Sequence, residues 1–281
     1  MRRLLCSVSV IVLLAGCGTA TGTTPKVPAD RPAAHPYPTT SAAPTPSPAA
    51  SAPTPSGTPT AQATVYGRRV GALFSHDTSG THFCTASTVD SPNHNMIITA
   101  AHCLHGGKDS DYASDLVFVP GYRDGKAPYG IWKVRTQLVD TRWANGSDED
   151  LDVGFAVLEP LNGKNIADVV GANTLAIDAG FRNVVRVTGY PMRSDKPITC
   201  VNSTTKEDTY QVRFACNGYF PGTSGSPWLT GYDPNTRVGK VVGVIGGRDE
   251  GGDEDDVSYS SYFDGDVKHL YDEAVRESTS R

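Results

Sequence analysis

Between Thr64 and Ala274 the chain is cut into short apolar segments, each closed by Gly, Pro, Asn or Asp. This punctuation constrains the fold more than any other feature. Segments of this kind, rich in Val, Ile, Thr and aromatic residues, suit a pleated surface rather than a helix. Strands are predicted at Arg69–Phe74, Thr81–Asp90, Met96–Thr99, Leu116–Pro120, Ile131–Asp140, Val153–Leu158, Val184–Thr188, Gln211–Cys216, Val238–Ile245 and Val257–Tyr262. Their regular spacing predicts an all-β sandwich or a pair of barrels. Only Gly265–Glu277 reads as helix, with Val267, Leu270, Tyr271 and Ala274 at helical spacing. No internal repeat interrupts this pattern.

The N-terminal residues obey different rules. Met1-Arg2-Arg3 is followed by an apolar run from Leu4 to Leu14. That is the layout of an export signal, and the run is too short for an ordinary spanning helix. Leu14-Ala15-Gly16-Cys17 resembles the lipobox of bacterial lipoproteins, which implies lipidation of Cys17 after removal of residues 1–16. Residues 17–63 then form a linker: 11 of the chain's 20 prolines lie between Gly18 and Ala63, among Thr, Ser and Ala, with nothing to build a core. Such a tether would attach a domain spanning 64–281 to a membrane through lipid, at the outer face of a bacterial cytoplasmic membrane. Direct secretion is the alternative.

Cysteine usage fits the same compartment. With Cys6 in the signal and Cys17 as the lipidation candidate, Cys84, Cys103, Cys200 and Cys216 remain. An even number in an exported domain predicts two disulfides, and four cysteines allow three pairings. The formal net charge of -5 gives no case for nucleic-acid binding.

Three local features carry chemistry. Ile97-Ile98-Thr99-Ala100-Ala101-His102-Cys103 ends an apolar strand on small residues and presents a histidine beside a cysteine. Asp150-Leu151-Asp152-Val153-Gly154-Phe155 sets an acid before a buried strand, where it needs a partner such as an imidazole N–H. Pro221-Gly222-Thr223-Ser224-Gly225-Ser226-Pro227 flanks a serine with glycines, which lets backbone N–H groups converge on one point.

Taken together and in this order, the three stretches resemble the His, Asp and Ser motifs of the chymotrypsin-like serine peptidases. The resemblance implies two antiparallel six-stranded β-barrels and a C-terminal helix. It also implies a triad of His102, Asp152 and Ser224, with the backbone N–H groups of Gly222 and Ser224 as the oxyanion hole. Asp150 and Ser226 are the competing acid and hydroxyl; the motif spacing favours Asp152 and Ser224. Cys84 is the implied partner of Cys103, which leaves Cys200 to pair with Cys216. The implied activity is peptide-bond hydrolysis by a monomer acting on polypeptides, with no cofactor or metal.

The chain also departs from the family. Thr223 stands where digestive members carry the aspartate that binds a freshly released N-terminus, so activation by that salt bridge is not expected. Gly218 replaces trypsin's pocket-floor aspartate, and Ile245 replaces the histidine of glutamate-specific relatives. Asp256 is a candidate for favouring Lys or Arg. The run Arg248–Asp256 reads as a solvated acidic loop, with a calcium site as the sharper alternative. Rival readings are a catalytically silent binding module, an α/β-hydrolase esterase, and a zinc site at His102, Cys103 and His105. The esterase is disfavoured because Ser226 occupies the last glycine of its Gly-x-Ser-x-Gly elbow.

Overall fold

The computed structural model describes residues 57–64 and 67–279. The export signal, Cys17 and most of the linker lie outside the described residues. Strands β2 (Val70–Ser75), β3 (Cys84–Val89), β4 (Met96–Thr99), β5 (Leu116–Pro120), β6 (Trp132–Val139) and β7 (Gly154–Leu158) close into a barrel in the order β2-β3-β4-β7-β6-β5. Every pairing in it is antiparallel.

Strands β3, β4, β5 and β7 are buried on both faces, which explains why they read as unbroken apolar runs. Because side chains alternate along a strand, neighbours serve different cores. Ile97 packs inside the barrel with Leu73, Phe118, Trp132 and Ala156. Ile98 points the other way, into a second core with Phe155 and Val157 that also takes in Leu229, Val241 and Val244. This second core seals the barrel against the rest of the domain. Two short helices that the sequence does not lead one to expect, α1 (Thr141–Gly146) and α2 (Ile166–Val170), precede α3 (Gly265–Thr279), which closes this core by burying Val267, Leu270 and Ala274.

The C-terminal half is an eight-stranded sheet. It contains β8 (Thr174–Leu175), β9 (Val184–Gly189), β10 (Ile198–Lys206), β11 (Gln211–Ala215), β12 (Pro227–Thr230), β13 (Lys240–Val244) and β14 (Val257–Ser261). The order is β14-β11-β10-β9-β12-β13-β8, and β1 (Gln62–Ala63) adds to β10. The six longer strands, β9 to β14, correspond to the expected second barrel. Its ends meet through single bonds rather than a ladder: Gly246 N–H donates to the Tyr259 carbonyl (3.0 Å) and Val244 N–H to Ser260 Oγ (3.0 Å).

The end of the stretch that composition assigns to the tether is therefore part of the fold. Gln62 and Ala63 pair with Thr199 and Ile198, and Ala61 N–H donates to the Asn217 carbonyl at 2.8 Å. Four strands lie outside the predicted segments: the two-residue β1 and β8, and the longer β10 and β12. Much of β10 is polar and half-exposed, so no period stands out.

Both disulfides form, Cys84–Cys103 and Cys200–Cys216. The first pins β3 to the turn bearing His102. The second joins β10 to the segment that leads towards Ser224. Converting Cys200 and Cys216 to serine is expected to cost about 3 kcal/mol, as the chain-entropy model gives for a loop of this size. Urea unfolding of the intact and substituted domains measures it.

Candidate active site

Strand β4 delivers Ala100 and Ala101, both fully buried, and the chain then turns to present His102. The turn is fixed from two sides. Cys103 is tied to β3, and His102 N–H donates to Asp152 Oδ1 at 2.9 Å. Asp152 follows a single helical turn, Glu149–Leu151, whose Leu151 is buried. Its carboxylate is fully buried, a costly placement unless every lone pair finds a donor.

The donors are present. Oδ2 lies 2.7 Å from His102 Nδ1 and accepts from Gly247 N–H at 2.9 Å, while Oδ1 takes the His102 backbone. A carboxylate can only accept, so Nδ1 carries the proton and Nε2 keeps its lone pair. Burial opposes a charge on the imidazole. The charge and hydrogen bond of Asp152 outweigh that penalty, with a further contribution from Glu250, and the His102 pKa is raised above its ordinary value of 6.5. The imidazole side chain is 10% exposed, so the ring reaches the surface.

Ser224 sits on a turn locked to both halves of the domain. Its carbonyl accepts from Thr85 N–H (2.7 Å), and Gly225 N–H donates to the Ile245 carbonyl (2.6 Å). Gly225 has φ of 81°, and a Cβ there would lie 2.1 Å from Thr99 Oγ1 and 3.1 Å from Ala100 N. Only glycine permits this approach, which brings the serine turn against the strand that carries His102. Ser224 is half-buried and its hydroxyl makes no hydrogen bond to another described residue, His102 included.

The backbone N–H groups along this turn divide cleanly. Those of Thr223, Gly225 and Ser226 donate to the carbonyls of Phe220, Ile245 and Thr223. Those of Gly222 and Ser224 donate to nothing among the described residues. The Pro221 carbonyl accepts from Met192 N–H at 2.7 Å. In a trans peptide C=O and N–H point oppositely, so this bond aims Gly222 N–H the other way. Gly222 has φ of 98°, and a Cβ would strike Met192 N at 2.4 Å.

The competing groups are engaged elsewhere. Asp150 Oδ1 accepts from Gln211 Nε2 (2.8 Å), and the buried Ser226 hydroxyl donates to the Thr223 carbonyl (2.6 Å). A zinc site is excluded at Cys103, because its sulfur is bonded to that of Cys84 and offers no thiolate.

Beside Ser224 opens a pocket of about 350 Å³. Thr223, Ser224 and Ile245 line it together with Asp249, Glu250, Asp253, Glu254 and Asp255. The acidic run is therefore a pocket wall rather than only a solvated loop. Its backbone is bonded to the opposite strand: Gly218 N–H donates to the Asp255 carbonyl (2.8 Å) and Cys216 N–H to that of Asp256 (2.9 Å). Asp256, the residue singled out from sequence, is not in the lining. Arg248 does not neutralise the wall, because its guanidinium is held by Glu207 (2.8 Å) and Asp208 (2.9 Å).

A closed six-stranded barrel, a second sheet, a C-terminal helix and a histidine–carboxylate pair beside a glycine-flanked serine define the chymotrypsin-like protease fold. Solved structures agree. The chain is similar to the protease Anisep from Arthrobacter nicotinovorans, at 28% identity over 77% of this chain and 99% of that one, with a TM-score of 0.68. It is also similar to the thermostable serine protease AL20 from an extremophilic microorganism, at 27% identity over 74% and 97%, with a TM-score of 0.66. A Glu endopeptidase at 20% identity, covering 78% and 98% with a TM-score of 0.64, shares the fold. No family model and no curated protein matches the sequence. The disulfides and the protease neighbours point to an extracellular protein. Among the described residues no helix is long and apolar enough to cross a membrane.

Proposed function

We propose that the protein is a serine endopeptidase that cleaves after basic residues. The observation that carries the reading is the buried Asp152 carboxylate 2.7 Å from His102 Nδ1, beside a serine flanked by two unengaged N–H groups. In this scheme Nε2 takes the Ser224 proton as Oγ bonds to the substrate carbonyl carbon. The carbonyl electron pair moves onto oxygen, which accepts from the N–H groups of Gly222 and Ser224. Collapse breaks the C–N bond, and the departing amine takes the proton from Nε2. Water then repeats the sequence on the acyl-enzyme and restores the serine.

The pocket supports the substrate class. A carboxylate-lined cavity beside the nucleophile, with no cation among the described residues of its lining, favours a Lys or Arg side chain before the cut and repels Asp or Glu. Peptide libraries read this directly. Enrichment of Lys and Arg is the expected result, and a preference for acidic residues would overturn it. Fluorophosphonate labelling of Ser224 separately tests catalysis: a folded domain that resists the reagent would instead be a silent binding module.

The raised His102 pKa has a pH consequence. The base works only when neutral, so the labelling rate should rise with pH through a midpoint above 6.5. Glu250 contributes to that rise, so Glu250→Gln should move the midpoint down. An unchanged midpoint would show that Glu250 does not act on the imidazole.

Lipidation of Cys17 belongs to the same proposal. Metabolic incorporation of labelled palmitate, lost in Cys17→Ser, is the result that supports it.

A further inference from the structure

Away from the pocket at Ser224 lie two adjoining cavities of about 450 and 320 Å³ that share Gly67, Arg68 and Arg237. The larger is lined by Arg68, Arg69, Arg186 and Arg237 together with the hydroxyl-bearing Thr188 and Thr199. No acidic residue lines it among the described residues. The smaller adds Arg123 and Lys126, against one acid, Asp124, whose carboxylate already faces Lys196 at 3.4 Å. This concentration of cations occurs in a chain whose net charge is -5.

The guanidinium groups of Arg69 and Arg186 are poorly compensated by the described residues. Arg69 is 8% exposed, and its Nη1 donates only to the carbonyls of Thr236 (3.2 Å) and Arg237 (2.9 Å). Its Nε, like those of Arg123 and Arg186, is buried without a hydrogen-bond partner. No carboxylate of a described residue lies within salt-bridge distance of Arg69 or Arg186. Burial first, then the charges of Arg68 and Arg237, lowers the Arg69 pKa. Arg186 is held in place over the Tyr232 ring, 4.9 Å from its centroid. A buried cation that lacks a counter-charge is costly, and fixed guanidinium forks match tetrahedral oxyanions well.

We infer that this face is a binding site for a chain of phosphate or sulfate esters, with successive anionic groups in the two cavities. The shared Arg68 and Arg237 make the cavities one continuous cationic track. The site shares no residue with the pocket at Ser224, so the inference stands apart from the proposed peptidase activity.

The test uses calorimetry on the exported full-length domain with tripolyphosphate in one arm and dextran sulfate in the other. Neutral dextran is the blank. Saturable binding that weakens with salt is expected in at least one arm, and which arm responds distinguishes phosphate from sulfate. Arg68→Gln with Arg186→Gln should weaken binding about tenfold or more, the scale of a lost charge-assisted bond. Lys108→Gln with Lys164→Gln, outside the track, should leave binding unchanged. Absence of saturable binding in both arms, or equal loss in both variant pairs, overturns the inference. Unchanged circular dichroism and thermal unfolding midpoints of the arginine variants show that they remain folded.

Discussion

Ser224→Ala is expected to lower peptide hydrolysis by about a million-fold, which leaves only the residual rate that binding and the oxyanion donors provide. The size follows from what the hydroxyl does alone. Asp150 and Ser226 are committed to other partners, so no neighbouring group is placed to replace it. The alanine side chain is smaller and the turn is held by backbone bonds from Thr85 and Ile245, so the fold should persist. Hydrolysis by purified protein, with thermal unfolding as the control, measures both quantities. Retention of activity in a folded Ser224→Ala protein would move the nucleophile elsewhere.

Asp152→Asn should cost about ten-thousand-fold in turnover, with little change in backbone geometry. The carboxylate accepts on both oxygens, two donors at Oδ2 and one at Oδ1. An amide can accept with only one of its two atoms. If the NH2 group faces Nδ1, the imidazole must move its proton to Nε2 and can no longer receive one from Ser224. If it faces the other way, it opposes the His102 backbone N–H. Either arrangement leaves a donor facing a donor in a fully buried place. Turnover measured against pH is the informative experiment. An alkaline shift would be expected for the variant as hydroxide takes over the role of the base, whereas a uniform loss would indicate that the turn has collapsed.

The sequence revealed those parts of the molecule whose signal is local. Met96–Thr99 and Leu116–Pro120 appear as predicted to the residue, because turn chemistry brackets each run. The His, Asp and Ser motifs are likewise short stretches, in which strand, turn and functional group are contiguous. What escaped is built from distant pieces. The pocket wall needs Asp249 to Asp255 to fold back on Gly218 and Tyr219, and the run by itself looks like any solvated acidic loop. The cationic track assembles Arg68, Arg123, Arg186 and Arg237 from separate loops and strands of both halves. Strand β1 has only two residues, too few for any period, and takes its conformation from β10.

The peptide between Pro221 and Gly222 is oriented by an ordinary backbone donor from Met192, and Thr223 turns its own hydroxyl back to the Phe220 carbonyl at 2.8 Å. Nothing in that arrangement waits for a charged chain end to arrive. On the proposed peptidase reading, a molecule assembled in this way would be armed as soon as it has folded. Restraint over what it cuts would then come from where the chain is delivered and which polypeptides reach it.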